Sequence, residues 1–289
     1  MDNFRKLWAN GAFRFGASVL TLVFAMGVFA PLLGTVDPAV MDYNNINRAA
    51  GHAGAFTLVD GTQVAHAFWL GTDNFGRDLY SRVLYGARVS LLVAISTALV
   101  ALLAGGAIGM LAGYFRAADL VLMRVMDGLM AIPAILLAIA LVAALGASIA
   151  TVVVAIAIPE IPRVSRLVRS LVLTLREEPF VEAARALATP TPAILLRHIL
   201  PNALAPLLVQ GTFVAASAVL LEAILSFLGL GLPAEIPTWG NIMAEGRTQF
   251  SQYPGNVLYP ALFLVPTVLA LNLLGDGLRD VLDPKFAKR

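Results

Sequence analysis

Four charged residues lie inside or at the edge of long apolar runs, where a charge is costly and usually has a task. They are Arg124, Asp127, Glu160 and Glu222. Carboxylates in such places either relay protons and line a pathway or are paired as structural groups. Arg124 and Asp127 are close enough in a helix to pair with each other or to reach the polar end, which favours a structural role. For Glu222 a buried, satisfied carboxylate is likewise favoured.

A row of arginines follows the apolar part of the run that holds Glu160. The arginines are Arg163, Arg166, Arg169 and Arg176. Arginine at every third position occurs in voltage sensors. Here only ~14 apolar residues precede the row, so the helix can leave the membrane at this point. The pattern therefore favours a helix that extends into the cytosol.

The chain lacks the residue patterns of common active sites. It has no cysteine, no G-x-x-x-x-G-K-[ST] loop and no H-E-x-x-H pair. Asp73, Asn74 and Asp78 lack the spacing of a calcium-binding EF-hand, so a turn with a helix cap is favoured. The three histidines, at 52, 66 and 198, are predicted to be ordinary surface or interface residues. We therefore expect no catalytic residue, cofactor or metal site in this chain.

A polar segment at 179–202 separates two apolar runs and is predicted to form a short helix with one free face. Pro179 suits the first helical turn, and Glu182 lies near the positive end of the helix dipole. Arg185 follows three residues later, so an ion pair with Glu182 is expected. Spacings of three and four form an apolar stripe for docking. The stripe consists of Phe180, Ala183, Ala184 and Leu187.

Two prolines are expected to end this helix, because they lack N–H donors and push the preceding residues out of the helical region. They lie in Thr189-Pro190-Thr191-Pro192. A second helix is predicted from Ala193 to Leu200, just before Pro201. From spacing alone, the segment could also lie on the bilayer surface.

The composition predicts a polytopic membrane protein with an all-α fold. Of 289 residues 59% are hydrophobic and 13% charged, and the mean hydropathy is +0.82. A net charge of +2 gives no reason to expect a nucleic-acid partner. Six transmembrane helices are predicted. They are Phe15 to Val36, Val89 to Tyr114, Leu120 to Leu145 with a kink at Pro133, Ser148 to Leu175, Ala203 to Leu228, and Val257 to Leu274.

The six helices divide the chain into a simple plan. We predict a cytoplasmic N-terminus at 1–14, a first helix at 15–36, an outer loop with an interfacial helix at 37–86, a five-helix core at 87–278 and a basic tail at 279–289. Of the 20 Lys and Arg residues, all but five then face the cytosol, as the positive-inside rule requires. The five are Arg48, Arg77, Arg82, Arg88 and Arg247. The segment 176–201 is therefore predicted to be cytosolic.

The segment resembles the EAA loop of permease subunits in binding-protein-dependent ABC importers. The resemblance rests on Glu182-Ala183-Ala184, the small residue Ala188, and Ile199-Leu200-Pro201. The family usually has glycine where this chain has Ala188, and alanine at positive φ is strained by roughly 1 kcal/mol. The Thr-Pro-Thr-Pro run is an alternative way to break the helix there.

Further stretches resemble the dipeptide, oligopeptide and nickel branch of these permeases. They are Leu70 to Asp78 (LGTDNFGRD), Met123 to Asp127 with Ala131-Ile132-Pro133, Glu222 with LSFLGLGLP, Pro237 to Gly240 (PTWG), and Asn272 to Asp280 before Leu282-Asp283-Pro284. The resemblance implies a type I importer permease in the bacterial inner membrane. It implies four further subunits: a homologous second permease, two ATPases that bind ATP and Mg, and an extracytoplasmic substrate-binding protein.

The resemblance also implies roles for the segment. Glu182 and Arg185 would fix the helix to an ATPase groove that Phe180, Ala183, Ala184 and Leu187 fill, with Ala188 to Pro192 as the turn. Peptide, nickel or another small solute remains open as the substrate. A different class, a proton-coupled secondary transporter, would use Asp127, Glu160 or Glu222 as a relay and work alone. A membrane scaffold would transport nothing.

Overall fold

The computed structural model describes residues 2–282 and consists mainly of long helices. The helices are α1 Asp2–Ala9, α2 Gly11–Val28, α3 Leu79–Tyr114, α4 Arg116–Met130, α5 Ala134–Leu145, α6 Ile149–Leu175, α7 Pro179–Ala186, α8 Thr191–Ala193, α9 Leu200–Phe227, α10 Trp239–Gly246 and α11 Gly255–Leu282. Strands β1 His52–Thr57 and β2 Gln63–Phe68 form one antiparallel hairpin. The basic residues predicted after position 282 lie outside the described residues.

The start of α2 and the end of α11 lie at the same end of the bundle, which we call the inner end. Gly277 of α11 packs so closely on Phe13 of α2 that an added Cβ would lie 2.7 Å from the Phe13 backbone nitrogen. Beside this contact, the Asn10 side chain donates a hydrogen bond of 3.2 Å to Asp280. Asn10 also caps α2, whose end at Val28 corrects the predicted end at Val36. A 3-10 turn with Pro31 follows, because proline cannot continue the helix.

Helix α3 is longer than predicted, with 36 residues, and it begins at Leu79. The Asp78 carboxylate caps it by accepting hydrogen bonds from the Ser81 N–H and hydroxyl. The interfacial helix expected before Val89 is therefore the first part of α3. Its Arg82 is fully buried rather than lying at an interface, because a folded outer loop covers it.

Small residues let α3 and α6 pack closely, as the glycines of the predicted second span suggest. Three glycines spaced by four residues face three valines spaced by four. These are Gly105, Gly109 and Gly113 against Val164, Val168 and Val172. A Cβ on Gly109 would lie 2.6 Å from the Ser165 carbonyl oxygen, so only glycine permits this approach.

The predicted third span is a broken helix rather than a kinked one. Helices α4 and α5 meet at an angle of 89° across Ala131 to Pro133. Pro133 cannot donate a hydrogen bond to the preceding turn, and it also disfavours helical geometry at Ile132. Because of this break, the charged helix α4 runs nearly perpendicular to the apolar helix α5.

Pro201 does not end a helix, contrary to the prediction. Helix α8 continues through a π-helical turn, Ile194–Ile199, into α9. A π turn widens the helix and shifts its hydrogen bonds by one residue, so the ring of Pro201, two residues after the turn, is accommodated. The predicted second helix and fifth span are thus one continuous element, Thr191–Phe227.

Within residues 2–282, four helices are long and apolar enough to cross a membrane, and the bent pair α4 and α5 could form a fifth span. The four are Gly11–Val28, Leu79–Tyr114, Thr191–Phe227 and Gly255–Leu282. Helix α6 has 27 residues, but its carboxylate and arginines make it less apolar. This arrangement is compatible with six spans, and the count of six stays a prediction. The all-α membrane fold is confirmed, with the small β-hairpin as an unpredicted addition.

Candidate functional site

Helix α7 has one face buried in its own chain and one face exposed. Val181 is completely buried and Ala184 is 5% exposed, and both pack against the main core. On the other side Phe180 is 41% and Leu187 82% exposed, and Ala183 is exposed as well. Ala184 was predicted to belong to the exposed docking stripe, and this is wrong. Its side chain lies on the same buried side of the helix as Val181. The free apolar surface consists of Phe180, Ala183 and Leu187.

Glu182 and Arg185 do not form the predicted ion pair. Among residues 2–282, Glu182 has no ion-pair partner, and its side chain is exposed. The Arg185 guanidinium instead lies over the Tyr114 ring at the end of α3, 5.3 Å from the ring centroid. This cation–π contact draws the arginine back toward its own chain and away from Glu182.

Two more arginines hold the corner between α3 and α4 beneath α7. Arg176 donates a hydrogen bond of 3.0 Å from Nη1 to the Gly113 carbonyl oxygen. Arg169 binds the Asp119 carboxylate through Nε and through Nη2, the latter at 2.7 Å. We call the set Gly113, Tyr114 and Asp119 the inner corner. It receives Arg169, Arg176 and Arg185, so the ends of α6 and α7 are tied to α3 and α4.

Sequence reasoning missed the inner corner, because its partners are far apart in the chain. Arg169 and Asp119 are separated by 50 residues. The available signal was the row of arginines on α6, which was explained by its place at the membrane boundary. That explanation names no partner for the arginines, and the structure supplies one for each.

Ala188 adopts the left-handed conformation that the family's glycine would favour, with φ of 58°. The Thr189 N–H donates to the Ala184 carbonyl at 3.0 Å, and the Ala188 N–H donates to the Arg185 carbonyl at 2.9 Å. These two bonds form a Schellman motif, which closes a helix through a left-handed residue. Ala188 therefore preserves the turn, and the prolines are not needed to break the helix.

We expect Ala188→Gly to stabilise the protein by about 1 kcal/mol, because glycine adopts positive φ without strain. Ala186→Gly, two residues earlier in α7, should instead destabilise it by about 1 kcal/mol, because glycine is a poor helix former. Thermal unfolding midpoints of the purified variants test this pair. Equal destabilisation by both changes would contradict the strain at position 188.

Two of the charged residues in the apolar runs, Asp127 and Glu160, form ion pairs with arginines of α6. Asp127 accepts a hydrogen bond of 2.6 Å from Nη2 of Arg166, which corrects its predicted pairing with Arg124. Arg124 is exposed and has no ion-pair partner among residues 2–282. Glu160 is buried and accepts two hydrogen bonds, of 3.1 and 3.0 Å, from Nη1 of Arg163. The pairing of Asp127 and Glu160 agrees with structural roles.

Glu222 is buried on α9, where it is 1% exposed. Its Oε1 accepts a hydrogen bond of 2.7 Å from the Ser226 hydroxyl, whereas Oε2 has no hydrogen-bond partner among the described residues. Close packing surrounds the pair, since a Cβ on Gly240 would lie 2.8 Å from the Ser226 Cβ. The site is thus a tight contact between α9 and α10 and leaves little room for a substrate.

At the opposite end of the bundle, a buried group of charges joins the outer loop to α3 and α10. We call Asp73, Arg77, Arg82 and Glu245 the outer ion cluster. Arg77 binds Asp73 at 2.7 Å and also contacts Glu245, while Arg82 binds Glu245 at 3.0 Å. Burial raises the pKa of the Glu245 carboxyl above its ordinary value, and the two arginines oppose that shift. The cluster therefore balances two positive against two negative charges.

The hairpin was not predicted, and it forms part of the outer loop before α3. Phe56 and Phe68, both fully buried, turn inward together with His66. His66 lies 3.5 Å from the Asp78 carboxylate that caps α3. The described residues contain no group of three or more His, Asp or Glu side chains able to hold a metal ion.

Comparisons with known proteins agree with this architecture. A protein of Sinorhizobium fredii described as a probable peptide ABC transporter permease is 47% identical over 95% of this chain and 89% of its own length. The dipeptide transport system permease of Alkalihalophilus pseudofirmus is 42% identical over 99% and 90%. The oligopeptide transport system permease of Bacillus subtilis is 33% identical over 98% and 91%.

A solved structure has the same fold. The MetNI methionine ABC transporter in an inward-facing conformation matches 70% of this chain and 96% of its own chain, with a TM-score of 0.55 and 21% identity. Residues 101–288 match the family model described as the binding-protein-dependent transport system inner membrane component. This match includes α7, the inner corner and the charged face of α6. The chain therefore belongs to the binding-protein-dependent transport system inner membrane component family and is a membrane permease component of ABC importers.

Proposed function

We propose that this chain is one of two homologous permease subunits of an ATP-driven importer for di- and oligopeptides in the bacterial inner membrane. Two ATPase subunits bind ATP and Mg on the cytosolic side, and an extracytoplasmic protein delivers the substrate. The peptide assignment is supported by relatives that are named for peptide, dipeptide and oligopeptide transport. The chain itself contributes helices that line the pathway and a docking site for the ATPases.

The observation that carries this proposal is the two-faced helix α7. A short helix anchored by Val181 and Ala184 presents Phe180, Leu187 and the unpaired carboxylate of Glu182 to the outside. An apolar patch beside a free charge is typical of a specific protein interface. We infer that the ATPase subunits cover this face, and that both termini and α7 lie in the cytosol.

The inner corner passes the movement of α7 to the membrane helices. Arg169, Arg176 and Arg185 link α6 and α7 to α3 and α4. When the ATPase pair closes, displacement of α7 therefore shifts α3, α4 and α6 together, as expected of rigid-body switching. This movement would alternate access to the pathway between the two sides of the membrane.

Purification of the tagged chain from its host in mild detergent should bring down a homologous permease and two proteins that carry the phosphate-binding loop G-x-x-x-x-G-K-[ST]. Proteoliposomes with the whole assembly and the binding protein should take up a labelled dipeptide only when ATP is supplied to the ATPase side. Uptake by the chain alone, driven by a proton gradient, would instead identify a secondary transporter. An assembly that moves no solute would indicate a scaffold.

A further inference from the structure

A cavity of about 520 Å³ lies between α6, α9 and α11 at the inner end of the bundle. Its walls are mainly apolar and include Leu167, Ala205, Val209 and Phe213. The α9 residues that line it recur at spacings of three and four, so they form one stripe of that helix. The cavity is built by the packing of three helices and is not part of the surface around α7.

Among the described residues that line the cavity, Arg279 is the one charged side chain. This arginine is exposed, and within the described part of the chain its guanidinium has no hydrogen-bond or ion-pair partner. Gln210 also lines the cavity, and its amide likewise makes no hydrogen bond to residues 2–282. Both groups can therefore donate hydrogen bonds to an incoming anion.

We propose that this cavity binds the headgroup of an anionic phospholipid. The guanidinium of Arg279 would hold the phosphodiester by charge-assisted hydrogen bonds, with the amide of Gln210 as a second donor. The apolar walls would receive the upper part of an acyl chain. Basic pockets between membrane helices at the cytoplasmic boundary are suited to such headgroups, because an arginine there lies at the depth of the lipid phosphates.

The charge of the cavity separates this ligand from a peptide. A peptide substrate carries an ammonium group as well as a carboxylate, and a buried ammonium needs an acceptor. Among the described residues that line the cavity there is no carboxylate, and the side-chain acceptors there are the neutral amide oxygens of Asn202 and Gln210. A phosphatidylglycerol headgroup has a single negative charge and requires only the donors that Arg279 and Gln210 provide.

A second cavity at the inner end is lined by charges of both signs and provides a control for the loss of an arginine. It lies between α4 and α6 and has Arg124 among its lining residues. Its other two arginines are neutralised by Asp127 and Asp119. Arg124 is exposed and unpaired among residues 2–282, as Arg279 is, but it lies in a cavity of mixed charge. Arg124→Gln therefore removes an equivalent charge from a different place.

The test is a titration of the full-length chain, purified with its copurifying subunits, by spin-labelled dioleoylphosphatidylglycerol and dioleoylphosphatidylcholine in detergent micelles. We expect saturable binding of phosphatidylglycerol and at least tenfold weaker binding of phosphatidylcholine. Arg279→Gln should weaken phosphatidylglycerol binding by about tenfold, the effect of a lost hydrogen bond to a charged group. Ala205→Phe, which fills the cavity and leaves the charge, should weaken it as well. Arg124→Gln should leave it unchanged.

Three results would overturn the proposal: equal binding by Arg279→Gln and wild-type protein, equal binding of the two lipids, or displacement of the labelled phosphatidylglycerol by millimolar dialanine. The last result would assign the cavity to a peptide. Thermal unfolding midpoints check that each variant is folded. The proposal concerns lipid binding by this chain and does not depend on peptide transport, so either can fail without the other.

Discussion

Glu182→Lys is expected to abolish coupled transport while the permease stays folded in the membrane. Glu182 is exposed on α7 and has no ion-pair partner among the described residues, so the change breaks no contact within the chain. Lysine in the first turn opposes the helix dipole, at a cost of about 0.3–1 kcal/mol. The anchors Val181 and Ala184 are unaffected.

The large effect is expected at the interface with the ATPases. Reversing a charge that a partner has matched puts like charges together and costs several kcal/mol. We therefore expect ATP-dependent peptide uptake to fall by at least tenfold, with fewer ATPase subunits copurifying or with ATP hydrolysis no longer linked to substrate. The measurements are uptake in proteoliposomes, the amount of copurified ATPase, and hydrolysis with and without the loaded binding protein.

Asp276→Lys provides the matched control. Asp276 is an exposed carboxylate near the inner end of α11 and undergoes the same reversal of charge. It lies on another element, so uptake should remain close to that of the wild type. Normal transport by Glu182→Lys would show that Glu182 on α7 does not couple the chain to the ATPases. Equal failure of both variants would show that the effect reflects net charge rather than the exposed face of α7.

The local features of this fold could be predicted from the sequence, because they depend on neighbouring residues. Pro179 begins α7, and Pro133 disrupts the third apolar run. The glycines of the second run allow close packing, and each apolar run contributes to a helix. Glu222 was expected to be buried and satisfied; it is buried, but among the described residues only its Oε1 is hydrogen-bonded.

Features that depend on distant parts of the chain could not be predicted. Asp127 binds Arg166, which is 39 residues away, whereas the spacing rule offered only Arg124. Pro201 lies inside a helix because a π turn precedes it, and no rule for proline anticipates that turn. The strands of the hairpin contain alanine, glycine and histidine, so their alternation of inward and outward side chains gives little contrast in hydrophobicity.

The candidate site was predicted in outline and not in its contacts. The helix and its exposed apolar residues were expected, but Ala184 faces inward and Arg185 contacts Tyr114. Tertiary contacts decide which side of an amphipathic helix is free, since a stripe of alanines fits either a core or a partner. The anchor Val181 lay outside the predicted stripe for the same reason.

The outer ion cluster should be among the most sensitive sites for stability. Arg82 is fully buried, and Arg82→Met leaves Asp73 and Glu245 with Arg77 as the one remaining cation of the cluster. Removing one member of a buried ion pair costs about 3–5 kcal/mol, because a charge stays buried without compensation. We expect a much lower thermal unfolding midpoint and less folded protein in the membrane.

Arg88→Met, less than two turns further along α3, is the control for the loss of an arginine. Arg88 is exposed and contacts the Val28 carbonyl oxygen and the Tyr85 ring, so its replacement should cost less than about 1 kcal/mol. The double variant Arg82→Met/Glu245→Met removes one charge of each sign and keeps the Arg77–Asp73 pair. It should therefore be more stable than Arg82→Met alone, since charge balance is restored. A double variant less stable than the single one would show that Arg82 contributes by packing rather than by its charge.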